Sequence, residues 1–191
     1  MTHKFDPINI NKLDNEWRRQ NLPPSSTLEK LGLISTDIAA DIGCGIGYFT
    51  IPAAGIVSSE NKVFALDTSD KMLDEVKKRM SAENISNISI IKTSEYDLKL
   101  PKESVTFALI INVLHEIEDK VQFIAEVKRI LKPEGKIAII EWEKAKMEMG
   151  PPIEHRIGKE ETGAILKSLG IKVSDTIKLT DIFYGLVGVR T

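Results

Sequence analysis

A chain of 191 residues, 42% hydrophobic and 28% charged, is long enough for one domain with a substantial core and has the balance of a globular protein. Its 26 basic and 28 acidic residues leave a net charge of −2, so there is no bulk electrostatic signal for nucleic acid or an anionic membrane. The single cysteine, Cys44, excludes an internal disulfide and any cysteine-cluster metal site.

Met1 to Pro7 is polar and carries no apolar signal core, and no apolar run approaches the roughly 18 residues that span a bilayer. The expected setting is cytoplasmic. Residues 1–26 are polar and end in the stiff break Pro23-Pro24-Ser25-Ser26. With Trp17 and the pair Arg18-Arg19 they read as an N-terminal extension or lid, ahead of one domain over residues 27–191. Thr27 to Leu33 predicts a short helix, Asp37 to Ile42 a buried strand, and Gly47 to Ile56 a helix with one apolar face. Lys62 to Asp67 reads as a strand. Ser69 reads as the N-cap of a helix that runs through Met80, with Met72, Leu73 and Val76 on one side. Strands follow at Ile88 to Lys92 and Thr106 to Asn112, then a helix from Asp119 to Leu131 stopped by Pro133 and Gly135. Lys136 to Trp142 is a strand, and Lys159 to Leu169 a helix ended by Gly170. Ile171 to Leu179 and Ile182 to Val189 are strands joined by a turn at Thr180-Asp181.

Strands alternating with helices imply right-handed crossovers and a mostly parallel sheet. The last connection is too short for a crossover, so the final strand must run antiparallel. The predicted fold is therefore α/β: a Rossmann-like, seven-stranded, mostly parallel sheet with an antiparallel last strand and helices on both faces. Ligands of such sheets sit at the carboxyl ends of the strands. Those ends are Asp41 to Gly47, Asp67, Ser94-Glu95, Asn112 to Glu116 and Glu141-Trp142.

Asp41-Ile42-Gly43-Cys44-Gly45-Ile46-Gly47 is the most pointed of them. Three alternate glycines after a strand let backbone approach a ligand closely. A dinucleotide fingerprint places glycines at the first, third and sixth positions of such a turn. Here the sixth position is Tyr48, and the third glycine comes one place early, at Gly47. The loop fits a small adenosine-containing ligand without a pyrophosphate better than it fits NAD.

With these motifs in place the chain resembles the class I S-adenosylmethionine-dependent methyltransferases, from about Leu13 to Thr191. Asp41 to Gly47 resembles the first family motif and Val63-Phe64-Ala65-Leu66-Asp67 the second. Ile110 to Glu116 resembles the fourth-strand motif, and Ile130 to Lys136 the turn before strand five. The subgroup most similar is the small-molecule type of the ubiquinone and menaquinone methyltransferases. The resemblance implies S-adenosylmethionine as cofactor and S-adenosylhomocysteine as product. It implies that Gly43, Cys44, Gly45 and Gly47 cradle the methionine portion, with Asp41 orienting the loop and the amino group. Asp67 would accept from both ribose hydroxyls, Thr68 and Met72 would pack on the adenine, and Ser94 and Glu95 would lie near its amino edge. Asn112 would meet the amino group through its backbone carbonyl. The chain departs from the family at Thr93-Ser94-Glu95, where an acidic residue usually ends strand three, and at Ala108, where many members have Asp.

His115 is the candidate catalytic base, because an imidazole titrates near neutrality. His115, Glu116, Trp142 and Arg156 are the candidate substrate contacts, Arg156 as a bidentate grip on an anion. Tyr184 could line the same pocket, although aromatic residues at such places are more often core. Trp17 with Arg18-Arg19 could close over the cofactor. Cys44 reads as a packing residue. His3, His115 and His155 have no paired metal-ligand spacing, so no metal is expected. The expected partner is a small-molecule substrate, and the chain itself a monomer or homodimer. Two alternatives remain open: a nicotinamide-dependent oxidoreductase, and a non-catalytic S-adenosylmethionine-binding subunit.

Overall fold

The computed structural model describes residues 13–191. Residues 1–12, with His3 and the Met1 to Pro7 stretch, lie outside the described residues. The helices are α1 (Glu16–Asn21), α2 (Pro24–Lys30), α3 (Thr50–Ile56), α4 (Asp70–Ala82), α5 (Lys120–Ile130) and α6 (Lys159–Ser168). The strands are β1 (Ala39–Ile42), β2 (Val63–Asp67), β3 (Ile88–Lys92), β4 (Val105–Ile111), β5 (Leu131–Trp142), β6 (Ile171–Lys178) and β7 (Phe183–Arg190). They form one seven-stranded sheet in the order β3-β2-β1-β4-β5-β7-β6. β7 runs antiparallel to both of its neighbours, and the pairs among β1 to β5 are parallel.

Side chains that alternate along each strand divide between two apolar layers. Phe107, Leu109 and Ile111 of β4 join Leu28 of α2, Ile51 of α3 and Val76 of α4 on one face. Ala108 and Ile110 join Phe123, Ile124 and Val127 of α5 and Leu166 of α6 on the other. A strand buried on both faces reads as an unbroken apolar run, which is why Phe107 to Ile111 carries no polar residue.

Three elements, α2, α3 and β5, differ from the sequence reading by three residues or more at an end. α2 begins at Pro24, not Thr27: the Pro23-Pro24 break starts the helix, because proline's restricted φ suits the first turn. α3 begins at Thr50, because Gly43, Gly45 and Gly47 all take positive φ and the chain is still turning there. β5 starts at Leu131, directly after α5, and so includes Pro133 and Gly135. Ser69 holds the N-cap position of α4 with extended backbone, but its side chain makes no cap bond.

β1 lies between β2 and β4, so the crossovers leaving β1 and entering β4 diverge and open a crevice at their carboxyl ends. The register Ile42↔Leu66 and Ile42↔Ile110 brings the three following loops level. Gly43 begins the loop after β1 at φ +72°, and a Cβ there would lie 2.5 Å from Val113 Cγ2. Among the described residues no helix is long and apolar enough to cross a membrane. Gly43→Ala is expected to destabilise the fold by about 2–4 kcal/mol, from strained φ and overpacking against Val113. Denaturant unfolding measures this, and a loss under about 0.5 kcal/mol would show that the loop yields.

Candidate active site

Asp67 closes β2 and organises the loop after β1. Its Oδ2 accepts from the Gly45 amide and its Oδ1 from the Ser69 amide, both at 2.8 Å. Burial raises its pKa, against the amides of Ser69, Gly45 and Thr68. The Leu66 carbonyl accepts from the amides of Gly43 and Cys44 at 2.8 and 3.0 Å. The glycine loop is thus held by the end of the neighbouring strand.

Asp41, the one polar side chain of β1, is buried and accepts a 2.6 Å hydrogen bond from Thr50 Oγ1 at the start of α3. Burial pushes its pKa up to about 6, with Asp67 adding to the rise while Thr50 and Arg18 oppose it. Cys44 is buried, and its thiol is raised well above the ordinary range, chiefly by burial and then by Asp41 and Asp67. A thiol in such a setting packs and does not react.

Beyond β4 the chain turns at Asn112, whose φ of +57° a non-glycine residue other than Asn or Asp rarely adopts. Its amide donates to the Ile140 carbonyl at 2.8 Å, and its Oδ1 is buried with no hydrogen-bond partner among the described residues. The turn leads into a short 3-10 segment, Leu114–Glu116. This sets His115, 7% exposed, against Glu141, 1% exposed, at the end of β5. His115 Nδ1 lies 2.8 Å from Glu141 Oε2, and the His115 amide donates to Glu141 Oε1 at 3.2 Å. Glu116 Oε1 stands 3.8 Å from the other ring nitrogen, Nε2. Burial alone would lower the imidazole pKa; attraction to Glu141 and the hydrogen bond to it outweigh this and raise it.

One cavity of about 990 Å³ joins these groups. It lies at the upper end of the roughly 300–1,000 Å³ usual for ligand sites. Of the residues singled out in the sequence, Asp41, Gly43, Cys44, Gly45, Asp67, Thr68, Met72, Ser94, Glu95, Asn112, His115, Glu116 and Trp142 line it. Trp17 and Arg18 line it too. Trp17 stacks on Trp142 with ring centroids 6.1 Å apart and planes at 8°, and Phe183 tilts against both.

Gly47, Arg156 and Tyr184 do not line it. Gly47 faces Val76 of α4, where an added Cβ would lie 3.3 Å from Val76 Cγ2, so its small size serves helix packing. Arg156 corrects the expectation of an anion grip. It is 4% exposed, and its guanidinium donates to the carbonyls of Pro151, Glu143, Ala145 and Met149 at 2.6–3.1 Å. It folds the segment after β5 into a wall and has no face for substrate. Tyr184 is likewise core: its hydroxyl donates to the Ile157 carbonyl at 3.1 Å and lies 2.9 Å from Thr162 Oγ1.

Glu141 was visible in the sequence only as a strand end with no role. Its signal is a carboxylate that ends the apolar run Ile137 to Ile140, where nothing but a buried partner justifies it. The segment Glu148 to Pro152, with Phe123 of α5, also lines the cavity.

Asp41 yields a stability prediction. Its carboxyl titrates near 6 in the fold against an ordinary 3.8, so the unfolded chain ionises first as pH rises. Ionised Asp41 therefore costs the fold about 3 kcal/mol above pH 6, and nothing below pH 4. Asp41→Asn, which can still accept from Thr50, is expected to stabilise the ligand-free protein at pH 7.5 and to lose that advantage below pH 4. Denaturant unfolding at the two pH values checks the sign; an advantage independent of pH would refute it.

A family model described as a methyltransferase domain matches residues 40–139, just over half of the chain. The demethylmenaquinone methyltransferase of Lactobacillus johnsonii is 31% identical over 128 residues, covering 66% of this chain and 50% of that protein. A ubiquinone/menaquinone biosynthesis C-methyltransferase of Marinomonas is 25% identical over 134 residues, 70% of this chain and 51% of that protein. The chain spans about half the length of the curated relatives it matches. A crystal structure of an S-adenosylmethionine-dependent methyltransferase from Aquifex aeolicus superposes with a TM-score of 0.93 at 29% identity, covering 98% of this chain and 100% of that one. The glycine loop, the acidic end of β2 and the seven-stranded order thus agree with what the comparisons find, and the chain belongs to the class I S-adenosylmethionine-dependent methyltransferases.

Proposed function

We propose that the chain binds S-adenosylmethionine beside the glycine loop and transfers its methyl group to a small-molecule acceptor held against His115. One observation carries this reading: a single cavity connects Asp67 and the glycine loop to the His115–Glu141 pair.

The residues suit the cofactor. Asp67 places an oriented carboxylate where vicinal hydroxyls can donate to it, and Met72 and Thr68 offer an adenine a mainly apolar edge. Ser94 and Glu95 provide polar atoms for its amino group. Asn112 Oδ1, buried and without a partner among the described residues, is an acceptor in want of a donor such as an ammonium. Residues 13–26 of the N-terminal extension are the part of the proposed lid that the structure describes, with Trp17 resting on Trp142.

When bound, the cofactor supplies a sulfonium-activated methyl group: its carbon–sulfur bond breaks as the acceptor's new bond forms, and S-adenosylhomocysteine leaves. The chain contributes positioning, exclusion of water and a place for the acceptor's proton. Glu141 engages His115 Nδ1, so Nε2 is the nitrogen left to take a proton from a hydroxyl or an activated carbon acid. The demethylmenaquinone methyltransferases it is similar to are named for demethylmenaquinone, an acceptor with a quinone ring. Trp17, Trp142 and Phe183 would give such a ring a surface to stack on.

Thermal unfolding with S-adenosylmethionine, S-adenosylhomocysteine and NADH tests the cofactor. At about 100 times the dissociation constant a ligand adds roughly 2.7 kcal/mol, a rise of about 5–10 °C for a domain this size. The two sulfur nucleotides are expected to give it and NADH not; a shift with NADH alone favours an oxidoreductase. Asp67→Ala should weaken S-adenosylhomocysteine binding about 10- to 100-fold by calorimetry, and a change within twofold would remove Asp67 from the ribose. With an acceptor in hand, His115→Ala should lower kcat about 10²–10⁴-fold. Glu141→Gln removes the anion that stabilises the imidazolium, so the rising limb of the pH–rate profile should move to lower pH. An unmoved limb would mean that His115 is not the base.

A further inference from the structure

α1 carries two adjacent arginines that are used differently. Arg19 Nε donates to Asp14 Oδ1 at 2.8 Å, and Arg79 of α4 reaches Asp14 Oδ2 at 3.0 Å. Both cations share that carboxylate. Arg18 has no such partner. Its guanidinium lies over the Tyr48 ring, 4.7 Å from the centroid, and its Nε is buried with no hydrogen-bond partner among the described residues. It is the only arginine or lysine among the described residues that line the cavity.

A buried cationic donor without an acceptor is costly to the fold, and an incoming anion is the simplest relief. The stacking on Tyr48 holds the guanidinium plane in place beforehand. Tyr48 follows Gly47 directly, and its hydroxyl donates to the Leu22 carbonyl at 3.1 Å, just past the end of α1. The glycine loop and α1 are therefore joined at both the ring and the hydroxyl of one side chain.

On the reading of the cavity given above, the cofactor ends in an amino acid, with an ammonium and a carboxylate. Asp41 and Asn112 offer acceptors to the ammonium, and the carboxylate has no assigned partner. We infer that Arg18 binds the α-carboxylate of S-adenosylmethionine, so that α1 recognises the amino-acid end of the cofactor and is held down by it. This inference rests on the cavity being the cofactor site. Asp41 and Arg18 interact electrostatically, and their opposite charges at one end of the cavity complement a zwitterion.

The test is calorimetric titration of wild-type, Arg18→Gln and Arg18→Lys protein with two probes. S-adenosylhomocysteine carries the amino-acid end; 5′-methylthioadenosine carries the same adenosine and sulfur without it. Arg18→Gln is expected to weaken S-adenosylhomocysteine about 10- to 100-fold, Arg18→Lys less, and neither should change 5′-methylthioadenosine beyond twofold. Amide hydrogen exchange over Glu16–Asn21 should slow with S-adenosylhomocysteine and not with 5′-methylthioadenosine. Unchanged S-adenosylhomocysteine affinity in Arg18→Gln overturns the assignment, and so does equal loss of both probes, which marks a structural role. An acceptor KM that rises while S-adenosylhomocysteine affinity holds would place the anion on the acceptor and also overturn it. Wild-type protein that binds neither probe overturns the cofactor reading itself, a result distinct from the others.

Discussion

The site depends on the grip of one strand end on the loop beside it. β1 and β2 are parallel neighbours in register, so the chain leaving Ile42 emerges next to Asp67. The Asp67 carboxylate takes the Gly45 amide on one oxygen and the Ser69 amide on the other, and the Leu66 carbonyl takes the amides of Gly43 and Cys44. Bonds from amides to an ionised acceptor are roughly twice as strong as neutral ones. They hold a glycine-rich loop, otherwise the most flexible kind of chain, in one shape with positive φ at three places. A ligand hydroxyl arriving here would meet a carboxylate already aimed.

The cavity wall is stocked with groups that work against the fold. Asp41, His115 and Glu141 are buried, and Arg18 Nε and Asn112 Oδ1 lack partners among the described residues. Each would be a mistake in a core built for stability alone. The two apolar layers on either side of β4 make them tolerable, since Phe107 to Ile111 is fully or almost fully buried on both faces. Cost concentrated in one crevice and offset elsewhere is the usual mark of a binding site.

Most of the sheet was legible because strand and helix periodicities alternate cleanly along the chain. The short Thr180-Asp181 turn alone implied the reversed β7. Strand ends were legible for the same reason, since a parallel sheet sends every strand's carboxyl end to one rim. What escaped were features decided by tertiary partners. Pro24 starts a helix where proline looked like a break. Gly47 was grouped with the ligand loop because its spacing matches, yet its missing Cβ serves the contact with Val76. Arg156 looked like a free cation because sequence does not show four backbone carbonyls converging on a side chain. Glu141 gained meaning only once β5 was placed beside β4, which brings it to His115.

Those four carbonyls also shape the part of the cavity wall that follows β5. The segment after β5 has almost no regular structure, and loops of this kind are usually its most mobile parts. Here Arg156 stitches residues 143 to 151 around one guanidinium, and Gly150, at φ +86°, brings its backbone so near Trp142 that an added Cβ would lie 2.7 Å from the ring. Trp142 in turn stacks on Trp17 of α1. α1 and the end of β5, against which Gly150 packs, therefore share one aromatic contact. Trp17, Trp142, Met149 and Pro151 line the same cavity as the glycine loop. On the proposed reading, acceptor choice would rest on these residues, with Arg156 holding the segment after β5 in place through four backbone carbonyls.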